Sequence, residues 1–310
     1  MANSLTVKEP ASGSVPHHRL PTRRGRQNIA PMLLAPAVIL LALGSLVPLL
    51  MTLWFSAQHY NLIDPDLRGF WGVQNYRFLI GDPAFWDSLR NTLTLVASVL
   101  LVTVVFGTLL AVLFDQQFPG RGVARLFVIA PFFVMPTVAA LIWKDLLMHP
   151  VYGVLGVLAR DFGGTPIDWF ANHSMLSLIL ILSWEWLPFS LLILLTALQS
   201  LDSEQREAAR MDGAGAITRF SCITLPHLRR PISVVIMMET MFLLAAFAEI
   251  FVTTSGGPGT ATTNLAFLIY ARALLQFDIG GAAAGGVVAI VLANVIVVLL
   301  ARVIAPQLEA

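Results

Sequence analysis

Six long apolar runs dominate the chain, at residues 31–57, 91–114, 123–146, 174–199, 231–254 and 281–304, with shorter polar stretches between them. A hydrocarbon core about 30 Å thick is crossed by about 20 helical residues, so each run is long enough to span it. The first begins PMLLAPAVILLALGSLVPLL, longer than a signal-peptide core of about 7–15 residues. No small-residue cleavage site follows it, and it is expected to stay as a span. The pattern predicts an all-α polytopic membrane protein, with six transmembrane helices in one domain over 31–310. Pro131 and Pro136 predict a bent third span. The small residues of GGAAAGGVVA at 280–289 predict close helix packing in the sixth.

Composition agrees with the pattern. Apolar residues make up 57% of the 310 and charged ones 12%, against about 45–50% and about 25% in soluble domains. That excludes a water-soluble fold. The single cysteine, Cys222, excludes an internal disulfide and a cysteine-based metal site. Charge sets the orientation: thirteen of the 19 Lys and Arg residues fall on the N-terminal side of the predicted spans. Basic loops stay in the cytoplasm, so both termini are expected there, in a bacterial plasma (inner) membrane. The tail at 1–30 is rich in Pro, Ser and Arg and lacks the apolar residues for a core, so disorder is expected. Its basic end, RLPTRRGR, is suited to holding orientation against anionic lipid; the adjacent His17 and His18 are not expected to form a metal site.

Charges inside a span are costly and face protein or water rather than lipid. Three glutamates lie within the runs: Glu185, Glu239 and Glu249. At 1.5 Å per residue Glu185 is about 16 Å along the fourth run, between Trp184 and Trp186, and Pro188 can open a kink just beyond it. A carboxylate accepts hydroxyl hydrogens and an indole face packs on the C–H face of a sugar or polyol. The segment is therefore a candidate carbohydrate contact, with an interhelical hydrogen bond and a packed Trp pair as the alternative. Glu249, toward the outer end of the fifth run, is a candidate for the substrate entrance or a helix cap. Glu239, beside Met237, Met238 and Met241, reads as a structural partner or gate element. Asn294 reads as an interhelical contact, and TTSGGPGTATTN at 253–264 as a turn-forming outer connection. The two lysines, Lys8 and Lys144, do not follow the glycines of a phosphate-binding loop, so ATP hydrolysis is not expected in this chain.

Between the fourth and fifth runs lies SLDSEQREAARMDGAGAITRFSCITLPHLRRPI. Asp202 or Ser203 can cap a helix, SEQREAARMD favours one, and Gly213 is a natural stop. A second short helix is expected in AITRFSCIT, ended by Pro226, with Ile217, Phe220 and either Ile223 or Thr224 as its apolar stripe. Spacing alone leaves two readings open, a helix pair lying on lipid or a docking knob for a cytosolic partner.

The string Glu207-Ala208-Ala209, then Asp212-Gly213-Ala214, then Ile223-Thr224-Leu225-Pro226 resembles the EAA loop of ABC importer permeases. That family keeps Glu-Ala-Ala, a Gly four residues after the last Ala, and Ile-x-Leu-Pro after nine further residues. Upstream, LTALQSLDSEQREAARMDGA resembles the carbohydrate-uptake subfamily. Downstream, TTSGGPGTATTNLAFLIYARAL resembles the maltose-F-like member of a permease pair. The likeness spans roughly 30–305.

The resemblance implies the type I importer permease (MetI-like) architecture, with the coupling loop at 200–228. It implies a second, related permease, two cytosolic ABC ATPase subunits that hold ATP-Mg, an extracytoplasmic solute-binding protein, and no cofactor in this chain. Carried over by position, Glu207, Ala208, Ala209, Asp212 and Gly213, with Phe220 of the apolar stripe, form the ATPase-coupling set. Trp184, Glu185, Trp186 and Glu249 are the candidates for substrate binding or gating. The WEWLPF segment resembles that of sugar-alcohol permeases, which favours a polyol such as mannitol or sorbitol; mono- and disaccharides stay open. The rival is an ion-coupled secondary transporter or channel using the buried glutamates, which leaves a cytosolic docking loop without a purpose.

Overall fold

The computed structural model describes residues 29–309 apart from Pro65 and Leu67; the expectations for the tail at 1–28, with His17 and His18, lie outside the described residues. The chain divides into two units, up to Leu50 and from Met51 onward. The first holds most of α1 (Ile29–Ser56), with apolar side chains such as Leu33, Leu40 and Leu41 exposed. A helix with that surface is built for hydrocarbon, where its backbone groups are satisfied internally.

The second unit opens with a short antiparallel ribbon, β1 (Gln58–His59) with β2 (Gly69–Phe70), then α2 (Gln74–Gly81) and α3 (Pro83–Asp115). Asp82 caps α3, its carboxylate accepting from the Ala84 amide at 2.9 Å, and Pro83 fills the first turn, where no amide hydrogen is needed. There follow α4 (Arg121–Ile129), α5 (Pro136–Leu141), α6 (Val154–Asp161), α7 (Trp169–Asn172) and α8 (Ser174–Gln199). After α8 come α9 (Ser203–Met211), α10 (Ala216–Arg219), α11 (Leu225–Leu244), α12 (Ala248–Thr253), α13 (Leu265–Tyr270) and α14 (Ile279–Glu309).

The core is the crossing of α3 with α8, with α11 laid across both. Gly107 permits the approach, since a Cβ there would lie 2.7 Å from the Ser190 Cβ. Two apolar clusters flank this point. One joins Leu95, Val99, Leu178, Leu182 and Leu243, the other Ala111, Phe114, Leu191, Leu194 and Val235. Between them Glu239 of α11 is fully buried, accepting from the Thr103 hydroxyl of α3 at 2.6 Å and the Ser190 hydroxyl of α8 at 2.9 Å. Of its two expected roles, the structure places it as an interhelical partner.

Two of the six predicted spans are broken. Among the described residues, Leu33–Ser56, Pro83–Asp115, Ser174–Gln199 and Ile279–Arg302 are each long and apolar enough to cross a membrane. In the third run, Arg121–Phe133 and Pro136–Leu147 meet at 105°, a corner where a bend was expected. Val134 and Met135 are extended, as the residue before a proline prefers to be. The fifth run divides into α11 and α12 at residues 245–247. There the Asn264 amide, 2.6 Å from the Ala246 carbonyl, supplies a donor that the interrupted helix lacks.

The small residues of the last span behave in two ways. Gly280 closes on the ribbon, where a Cβ would meet the Gln58 carbonyl at 2.4 Å. Farther along, Ala282, Ala283, Gly286 and Ala289 line an apolar cavity of about 570 Å³ instead of filling it. Within this chain Asn294 is exposed, and its amide donates to Ile290 O of its own helix at 2.8 Å.

Candidate functional site

The charged insertion folds as a hinged pair of helices. The Asp202 carboxylate accepts the Glu204 amide in the first turn of α9 at 3.0 Å. In α9 Glu207 and Ala208 are exposed and Ala209 is half-buried, and Met211 and Asp212 beyond them are exposed. Gly213 has φ +74°, a conformation glycine adopts without steric cost. The Ala214 amide then reaches back to Ala209 O at 3.0 Å and closes the helix.

Pro226 does not end the second helix. From Ala216 the chain runs through α10, a wide π turn at Phe220–Thr224 and α11 without a break. Pro226 lies in the first turn of α11, directly after that π turn, where the helical hydrogen-bond register changes and a missing amide hydrogen is tolerated. The expected apolar stripe is also split. Ile217 points outward, 84% exposed. Phe220, Ile223 and Thr224 turn inward to line a cleft of about 170 Å³ with Asp115, Gln116 and Leu198. Phe220 therefore seats the segment against the ends of α3 and α8, and Met211 and Ile217 supply the outward apolar surface.

The opposite end of the bundle carries the 253–264 loop, which is turn-forming as expected. The Asn91 amide of α3 donates to Thr260 O at 2.7 Å and Thr263 O at 3.0 Å, and the Leu265 amide donates to the Thr92 hydroxyl at 2.9 Å. An ion pair between Arg272 and Asp82 ties the segment after α13 to the start of α3.

Along α8 the structure brings Glu185 and Glu249 together and separates the two tryptophans. Glu249 occupies the first turn of α12, which packs against α8 and brings its carboxyl group near that of Glu185; both residues are more than nine-tenths buried. Trp184 meets Trp143 edge-on at 5.9 Å. Trp186 belongs to another aromatic group, stacked on Phe242 at 5.0 Å and edge-on to Phe132 and Phe189. Three buried polar atoms here have no hydrogen-bond partner: Glu185 Oε2, Ser183 Oγ and Trp143 Nε1. Buried polar groups are nearly always bonded, so this region has unused capacity for a donor and an acceptor. Lys144 closes the region, its ammonium donating to Val252 O at 2.7 Å near the end of α12, where a helix favours a cation.

Sequence reasoning missed Thr103, Ser190, Trp143 and Asn264. Hydroxyl residues in apolar runs give no signal of which carboxylate they will meet. Asn264 did carry one, because Asn before the apolar run LAFLIY is a helix cap; its side chain accepts from the Phe267 amide at 2.8 Å.

Known proteins are similar to this chain over most of its length. Residues 103–310 match the family described as binding-protein-dependent transport system inner membrane component. The chain is 32% identical over 282 residues to the sulfoquinovosyl glycerol transport system permease protein SmoG of Agrobacterium fabrum, covering 90% of this chain and 91% of that one. It is 28% identical over 241 residues to the trehalose/maltose transport system permease protein MalF of Thermococcus litoralis, covering 77% and 81%. Its fold matches the crystal structure of a bacterial alginate ABC transporter in complex with an alginate pentasaccharide-bound periplasmic protein. The TM-score is 0.77 at 22% identity, over 89% of this chain and 93% of that one. With its apolar spans, the hinged segment at one end and a match over most of its length, this chain belongs to the family of inner-membrane components of binding-protein-dependent transport systems, as a permease subunit of an ABC importer.

Proposed function

We propose that this chain forms one half of the transmembrane pathway of an ATP-driven carbohydrate importer, and that the segment at 203–224 is where it takes hold of the ATPase. The observation that carries the reading is the shape of that segment. It is a helix with exposed acidic and apolar residues, Glu207, Met211 and Asp212, hinged at Gly213 and seated on the bundle through Phe220. Ala208 and Ala209 keep the helix slim enough to enter a cleft, and the continuous helix beyond carries motion into the bundle. The second half of the pathway would be a related permease; two cytosolic ATPase subunits would bind on the loop side and a solute-binding protein on the other. Both termini then face the cytoplasm.

A carbohydrate is favoured by two independent supports. Permeases named for sulfoquinovosyl glycerol and for trehalose and maltose are similar over most of the chain. The unpaired atoms of Glu185 and Trp143, with Trp184 edge-on to Trp143, suit a polyhydroxyl ligand that both donates and accepts. Within that class the WEWLPF segment favours a sugar alcohol. Glu249 then acts with Glu185 as contact or gate. The test is a binding screen of the cognate solute-binding protein against polyols, mono- and disaccharides, followed by uptake of the best ligand. Tight binding of an amino acid or a metal ion with no sugar bound would overturn the substrate class.

A further inference from the structure

Glu239 takes no part in the contacts assigned above to substrate or ATPase, yet it has the most complete set of hydrogen bonds of the three buried glutamates. Each carboxyl oxygen goes to a different helix, Oε2 to Thr103 of α3 and Oε1 to Ser190 of α8. Ser190 also lies against Gly107, whose missing Cβ is what lets α3 and α8 meet. A carboxyl group in an apolar interior is costly once it loses its partners, and apolar clusters enclose this one above and below. The junction of the three helices is therefore disfavoured from opening.

Two features of the chain on either side of Glu239 give the junction a role. Toward the segment at 203–224, residues 216–244 form one continuous helical rod that includes the π turn at Phe220–Thr224 and Pro231, with right-handed helical dihedrals at both joins, Phe220 (φ −61°, ψ −50°) and Leu225 (φ −65°, ψ −42°). A displacement at Ala216 thus reaches Glu239 about 35 Å away. In the other direction the rod stops at Leu244, and Phe247 (φ −139°, ψ −46°) re-aims the chain into α12. Across that break lies Glu249, in the first turn of α12, which packs against α8 near Glu185.

We infer that Glu239 is a positioning residue that fastens the rod at 216–244 to α3 and α8, so that the three move as one body, and that the joint that moves is the break at 245–247. Movement there opens or closes the Glu185–Glu249 contact while the junction stays shut. The inference rests on the coupling reading given above.

Spin-label distances in the complex, reconstituted with its partner permease, ATPase and binding protein, test it. With Cys222→Ser as background, Val105→Cys and Val234→Cys report the junction, and Met241→Cys and Phe251→Cys report the break; all four side chains are exposed. ATP binding is expected to leave the first distance unchanged and shift the second. A shift in the first, or none in the second, overturns the inference. Glu239→Leu is expected to lower uptake per ATP hydrolysed by about tenfold per assembled complex, the upper range for residues that carry coupling. Glu239→Gln, which keeps one acceptor and one donor, stays within about twofold. An assembled Glu239→Leu complex with unaltered uptake per ATP also overturns it, and if that variant does not assemble, the label distances decide. Absence of ATP-dependent uptake in the unsubstituted complex would instead reject the proposed function.

Discussion

Gly213 and Gly107 are needed for opposite reasons, and the two make different predictions. At Gly213 nothing lies within 4 Å of a built Cβ, so the requirement is the left-handed backbone alone. Gly213→Val costs about 1–2 kcal/mol of local strain and is expected to re-aim α9. Insertion in the membrane should be normal and ATP-driven uptake lost; uptake at the wild-type rate would contradict the hinge. At Gly107 the backbone is ordinary helix and the requirement is space. Gly107→Val drives a methyl group into Ser190 and is expected to destabilise the bundle by about 1–3 kcal/mol, read as a lower Tm in detergent. An unchanged Tm would show that α3 and α8 do not meet there. The first glycine was legible because hinge chemistry is local. The second was not, because its reason is a side chain on another helix.

At the scale of elements, the sequence reading located every long helix and missed one break. The corner in the third run was foreshadowed by Pro131 and Pro136, since a proline perturbs its own neighbourhood whatever packs against it. The break at 245–247 sits in LLAAFAEI, which contains no proline or glycine, and propensity gives no reason for a helix to stop there. It is held by Asn264 from the following loop, which caps α13 and satisfies Ala246 O together. Asn264→Ala removes both bonds and is expected to cost about 1–2 kcal/mol. Amide hydrogen exchange should speed up at 245–247 and in the first turn of α13. Unchanged protection at both places would mean the break is stabilised by something else. The segment at 203–224 was read correctly in its first helix and in the stop at Gly213. It was misread at Pro226, because the π turn that accommodates the proline is a feature of hydrogen-bond register rather than of composition.

At the scale of the whole molecule, fold class and family were legible because bilayer thickness and a short sequence motif are both one-dimensional constraints. The meeting of Glu185 with Glu249 was not, because it depends on how α12 folds back against α8. Orientation remains a prediction with a direct test, since Cys222 is exposed and is the sole cysteine. A membrane-impermeant maleimide should label Cys222 only after the cells are permeabilised; labelling of intact cells would invert the topology. Beyond orientation, the protein is expected to draw on ATP hydrolysed by a partner and not on an ion gradient. The most direct measurement is uptake of the identified carbohydrate into vesicles bearing the assembled complex, with ATP and ion gradients varied separately. Uptake should require ATP and the solute-binding protein and be indifferent to proton and sodium gradients, whereas gradient-driven uptake without ATP would contradict an ATP-coupled permease.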